Sequence, residues 1–83
     1  MPEHFLTFEL SKDGDELVVH ADERGLRFLA KVASLLADTI ATGTNDHVHL
    51  MTEEWAGNEL SSEKRGPDDK LLNHVRIVGC PKQ

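Results

Sequence analysis

Cysteine occurs once in this chain, at Cys80, so no internal disulfide framework exists and a reducing cytoplasm is the expected compartment. Tyrosine is absent, tryptophan occurs once and aromatics make up 5% of the residues, so a core must be built from aliphatic side chains. At 83 residues the chain is one domain, 1–83. A domain of that size buries only about 60–65% of the surface its unfolded form exposes. No apolar run has the length of a signal peptide or a membrane span. Basic residues are also scarce. Nine Lys and Arg stand against 15 Asp and Glu, for a net charge of −6. Phosphate contacts need Lys and Arg, so nucleic acid is not an expected partner, nor is an anionic membrane. A basic protein partner suits this charge. GxSxG, P-loop and GxGxxG motifs are all missing, and no cofactor is expected.

What is present is organised. "HFLTFEL" (4–10) alternates, with Leu6, Phe8 and Leu10 on one face and Phe5, Thr7 and Glu9 on the other. Asp13-Gly14 signals a turn, and "ELVVHA" repeats the alternation through Leu17 and Val19, which predicts a β-hairpin. Asp22 is a candidate N-cap with Glu23 in the first turn. Leu26, Leu29, Val32, Ala33, Leu36 and Ile40 then recur at helical spacing, widened by Phe28, Leu35 and Ala37, and Gly43 closes a helix expected over about 23–42. Gly25 in the first turn is a mild cost of about 1 kcal/mol against Ala. "HVHLM" (47–51) and "LLNHVRIVG" (71–79) predict two more strands, separated by a long acidic loop over about 52–70, and residues 80–83 form a flexible tail.

The order β-β-α-β-β predicts an α+β two-layer sandwich, one amphipathic helix on a four-stranded, mainly antiparallel sheet. Leu6, Phe8, Leu17, Val19, Val48, Leu50, Val75 and Ile77 are expected to meet the helix. The other face, with Phe5, Thr7, Val18, His20, His47, His49, His74, Arg76 and Val78, is left uncovered, and a second copy is one way to cover it.

Three kinds of chemistry compete for the remaining signals. His47 and His49 share a strand face, and His74 or His20 from a neighbouring strand completes a set of metal-ligand type, although Cys ligands and HExxH spacing are absent. Catalysis has weaker support. Cys80 sits beside Pro81 with no helix N-terminus to lower its pKa, and Glu53 and Glu54 point apart on an extended chain. Binding has the most support. Trp55 lies in a polar loop with Glu53, Glu54, Asn58 and Glu59, and Asp68 and Asp69 follow in "GPDD". Trp55 is either a lid that supplements the core or an anchor for a partner. Gly57 is expected to allow a left-handed turn, Asn58 to cap it and Leu60 to return to the core.

"ADERGLRFLAKVASLL", "HVHLMTEEWAGNELS" and "GPDDKLLNHVRI" together resemble the immunity protein 32 family of bacterial polymorphic-toxin systems. The resemblance runs from about Val18 to Ile77. The family pattern has a GL..L helix, an H-H-L-M-type strand, a W-G-G-x-E-L-S-like loop and an N-H-V-K-I-like final strand. Ala56 stands where that pattern has Gly. The resemblance implies an antidote that binds a cognate toxin and blocks it, without catalytic residues. A basic nuclease is one toxin class that an acidic surface complements.

Overall fold

In a computed structural model describing residues 3–81, the chain forms two antiparallel sheets against one helix. Strands β1 (Leu6–Leu10) and β2 (Leu17–Ala21) make the expected hairpin, in register from Leu6 opposite Ala21 to Leu10 opposite Leu17. Helix α1 (Glu23–Ile40) follows, then β3 (Asp46–Met51), a 3-10 turn (Glu53–Trp55), β4 (Lys70–Leu71) and β5 (His74–Gly79). Met1, Pro2, Lys82 and Gln83 lie outside the described residues, and with them the end of the tail.

Asp22 starts the helix as its residue type predicts. Its carboxylate accepts the Gly25 N–H at 2.7 Å and the Phe5 N–H at 3.1 Å, so one side chain caps α1 and ties it to the entry of β1. Those two bonds hold the carboxyl below the usual carboxylate range. Gly25 is not the small liability its helix propensity suggests. It is buried against the Phe5 carbonyl, and a Cβ there would collide with that backbone oxygen. The helix ends at Ile40, two residues before the expected end, and Gly43 turns the chain away at φ 91°.

The buried core is Leu6, Phe8, Leu50 and Leu60, with Phe28, Leu29, Val32, Val75 and Ile77 among the side chains packed on it, and Leu36 buried on α1. The helix arc that touches it is narrower than its apolar pattern. Leu26, Ala33 and Leu35 are exposed, because the sheets cover the Val32–Leu36 line and not the flanks. Leu26 and Ala33 lie roughly 100–120° round the axis from Val32. Leu17 and Val19 point to the helix side, as expected, but nothing closes over them.

The single four-stranded sheet of the sequence reading is corrected to a three-stranded sheet, β2-β1-β4, and a two-stranded sheet, β3-β5. The expected last strand breaks at Leu72–Asn73. Before the break, Lys70 and Leu71 pair with Leu10 and Glu9, and the Leu72 N–H donates to Phe8 O. After it, the chain pairs with β3 from His74 opposite Met51 to Gly79 opposite Asp46. Successive residues of a strand bond to opposite sides, so one extended segment serves β1 first and β3 second. A second seam runs through the loop. The Leu60 N–H donates to Met51 O and the Ser61 N–H to Leu6 O.

The uncovered outer face is also corrected. It exists on the two-stranded sheet, where His47, His49, His74, Arg76 and Val78 are exposed. On the three-stranded sheet, Thr7 and Glu9 are both 0% exposed, because residues 62–69 of the long loop fold over them.

Candidate functional site

The acidic, tryptophan-bearing loop has two halves with separate supports. The first half hangs from Thr52, which is fully buried. Its N–H donates to Asn73 O, its hydroxyl bonds to the Asn73 side chain at 2.8 Å, and its carbonyl accepts the N–H groups of Trp55 and Gly57. The 3-10 turn is therefore fixed at its base while Glu53, Glu54 and Trp55 face outwards. The Trp55 ring remains 54% exposed. It lies 6.0 Å from the His74 ring, at the end of the bare face, and contributes nothing to the buried core.

Ala56, not Gly57, takes the left-handed conformation, at φ 65°. This corrects the expected role of Gly57, which instead has no room for a Cβ beside Met51. Ala56 is thus an L-residue in the left-handed region, at a cost of about 1–2 kcal/mol. Asn58 is exposed. Glu59 is engaged in the scaffold. Its carboxylate accepts the Met51 N–H at 3.0 Å, and its carbonyl bonds to His4 Nε2 at 2.7 Å, whose ring stacks on Phe28.

The second half rests on Glu9. Its carboxylate accepts the Thr7 hydroxyl at 2.6 Å and the N–H groups of Arg65 and Gly66, the latter at 2.8 Å. Burial alone would push this carboxyl up. The hydroxyl, the two N–H groups and the nearby His20 outweigh it and hold the group below the usual carboxylate range. The Arg65 guanidinium lies 4.3 Å over the Phe5 ring and closes the cover. Asp68 is exposed and Asp69 partly so. The loop thus carries Asp68 and Asp69 on the outer side of one sheet and Glu53, Glu54 and Trp55 beside the other.

The histidine face adjoins the Trp55 half. His49 Nδ1 and His74 Nε2 are 2.7 Å apart, and His47 meets His49 edge-on with ring centres 4.8 Å apart. Desolvation, and then the neighbouring His47, His74 and Arg76, push the His49 pKa down. Among the described residues, the three donors of metal-ligand type that converge most tightly are Glu9, His20 and Asp69 instead. The Glu9 oxygens there are already taken by N–H and O–H donors.

Thr52, Asn73 and Glu9 are the supporting residues that the sequence reading passed over. Thr52 follows the "HVHLM" strand directly, a legible signal for the root of a turn. Glu9 had none, since alternation placed it among solvent-facing residues.

Comparison with known proteins adds one finding. The family model described as immunity protein 32 matches residues 16–75. No curated protein and no solved structure matches the chain. Among the described residues, no helix is long and apolar enough to cross a membrane.

Proposed function

Because the chain belongs to the immunity protein 32 family, and so neutralises a cognate bacterial toxin by binding rather than by catalysis, we propose that it grips that toxin with its acidic, tryptophan-bearing outer surface. Trp55 is the anchor, Glu53, Glu54, Asp68 and Asp69 supply the steering charge, and Asn58 offers hydrogen bonds at the rim. Glu59 serves the site by holding Met51 and the turn in place. The toxin is basic under this reading, and a nuclease is the foremost class, since a nuclease presents a basic groove to its substrate.

The observation that carries the reading is the half-exposed Trp55 on a turn pinned by a buried Thr52. A large aromatic held rigid and wet in a chain so poor in aromatics is costly without a partner, and Trp is enriched among residues that dominate binding energy. The −6 charge fits the same partner, because opposite potentials speed encounter.

The test is co-expression with the toxin domain encoded by the adjacent reading frame. Growth is rescued by the wild type, a complex is recovered, and its association rate falls as salt rises. A complex that forms equally fast at all ionic strengths, and is unaffected by Glu53→Lys with Glu54→Lys, sinks the acidic-surface reading.

A further inference from the structure

The β1–β2 hairpin leaves one edge without a partner. Ser11 bonds to Glu16 and Asp22 to Phe5 across the hairpin. With the register between them, this sets the N–H and C=O groups of Val18 and His20 towards β1. Those of Leu17, Val19 and Ala21 then point outwards, where β2 is the terminal strand of its sheet. Among the described residues nothing pairs with them.

Edge strands are normally blunted by Pro, Lys, a bulge or a covering loop. The segment "LVVHA" has no Pro and no Lys, and its register runs without a bulge. Its side chains invite contact as well. Leu17 and Val19 are 54% and 40% exposed on the helix side. An open groove of about 500 Å³ continues the apolar band along Ala21, Leu26 and Ala30, with the Glu23–Arg27 ion pair at its rim.

From this edge we infer that β2 is a docking site for an extended strand of the cognate toxin domain, which adds a fourth strand to the β2-β1-β4 sheet. The inference rests on the immunity reading above and names a second contact surface for the same partner. The strand carries apolar residues at alternate positions, facing Leu17, Val19 and Leu26, and a basic residue where it passes the hairpin end. Charge selects it. Asp13, Asp15 and Glu16 cluster at that end against Lys12 alone, whereas acids and bases balance at the Asp22–Arg27 end. The same charges disfavour a second copy. Antiparallel self-pairing centred on Val19 sets Glu16 against Asp22 of the other copy, and brings together two chains of charge −6.

The test uses the full chain and the toxin domain of the adjacent reading frame. Val19→Pro deletes an outward N–H that the hairpin does not use, a placement edge strands tolerate. Val19→Lys keeps the N–H and places a charge on the apolar face. Each weakens the complex about 100-fold or more, while thermal melting stays near wild type. Amide exchange gives a second readout. In the free chain Leu17, Val19 and Ala21 exchange fast and Val18 and His20 slowly, and in the complex all five are slow. If Val19→Pro unfolds the hairpin, Val19→Lys and the exchange pattern decide. A wild-type complex that both variants match, with Val19 still exchanging fast, overturns the docking site and leaves the immunity reading standing. Failure of the wild type to bind at all removes both. Loss of a concentration-dependent dimer in the variants, with toxin binding intact, assigns the edge to a second copy and overturns the proposal.

Discussion

The two sheets of this molecule share a helix and differ in what lies on their outer faces. On β2-β1-β4, Thr7 and Glu9 point away from α1 and are sealed under residues 62–69. On β3-β5, His47, His49 and His74 occupy the equivalent side and stay exposed. Both faces are polar, so composition does not separate them. A tether does. Glu9 offers an acceptor that two loop N–H groups and a hydroxyl satisfy, and the loop closes over it. The imidazoles hydrogen-bond and stack with one another, and the loop that leaves from Thr52 passes them at the edge. A buried polar group organises a cover only where its partners are complete.

Breaking the tether is the strongest way to erase the contrast. Glu9→Ala strands the Thr7 hydroxyl and the Arg65 and Gly66 N–H groups, and costs about 3 kcal/mol in a denaturant or thermal melt. Glu9→Gln isolates the charge. The folded-state carboxyl lies below its ordinary 4.5, so its stabilisation is complete above that value and is lost as pH falls through the lower folded value. The stability gap between wild type and Glu9→Gln should therefore narrow on going from about pH 5 to about pH 3. A gap that stays constant over that range means Glu9 is not held as a carboxylate.

Trp55→Ala acts on the bare side. It weakens toxin binding by about 2 kcal/mol, roughly 30-fold, and leaves the melting temperature nearly unchanged. Titration calorimetry with parallel melts checks both. If the melt collapses and surviving folded protein binds normally, the ring is structural. Ala56→Gly sharpens the same region in the opposite direction. Relieving a left-handed alanine raises stability by about 0.5–1 kcal/mol, and a neutral or destabilising result refutes strain at that turn. The smallest effect belongs to His49. Its folded pKa lies below the ordinary 6.5, so the group favours unfolding as pH drops below that value and ceases to do so above it. His49→Gln should flatten the pH dependence of melting between about pH 7 and about pH 5, and an unchanged slope rejects the crowding of the imidazoles.

Much of this was legible in the chain. Alternation located the hairpin and β3, and the Asp22 cap and the 3.6-residue period located α1 to within two residues at its end. Leu60 returned to the core as its position in "NELS" suggested. Acidic character and a lone Trp marked the outer loop. Local patterns carry such features because each depends on residues within a turn or two. The illegible parts depend on distant partners. Glu9 reads as a solvent-facing strand residue until Arg65 and Gly66 arrive. Gly25 reads as a propensity cost until the Phe5 carbonyl is set against it. "LLNHVRIVG" reads as one strand because no Pro or Gly interrupts it before Gly79, and only the separation of β1 from β3 splits it.

That split makes the Leu72–Asn73 joint a shared gear between two racks. Removing a single residue there would turn Val75 and Ile77 out to water and His74 and Arg76 in towards Leu50, while the Lys70–Leu71 teeth stayed meshed with β1. Length at this point is therefore fixed by the pairing on both sides of it, and an insertion or deletion two residues past Lys70 should be lethal to the fold.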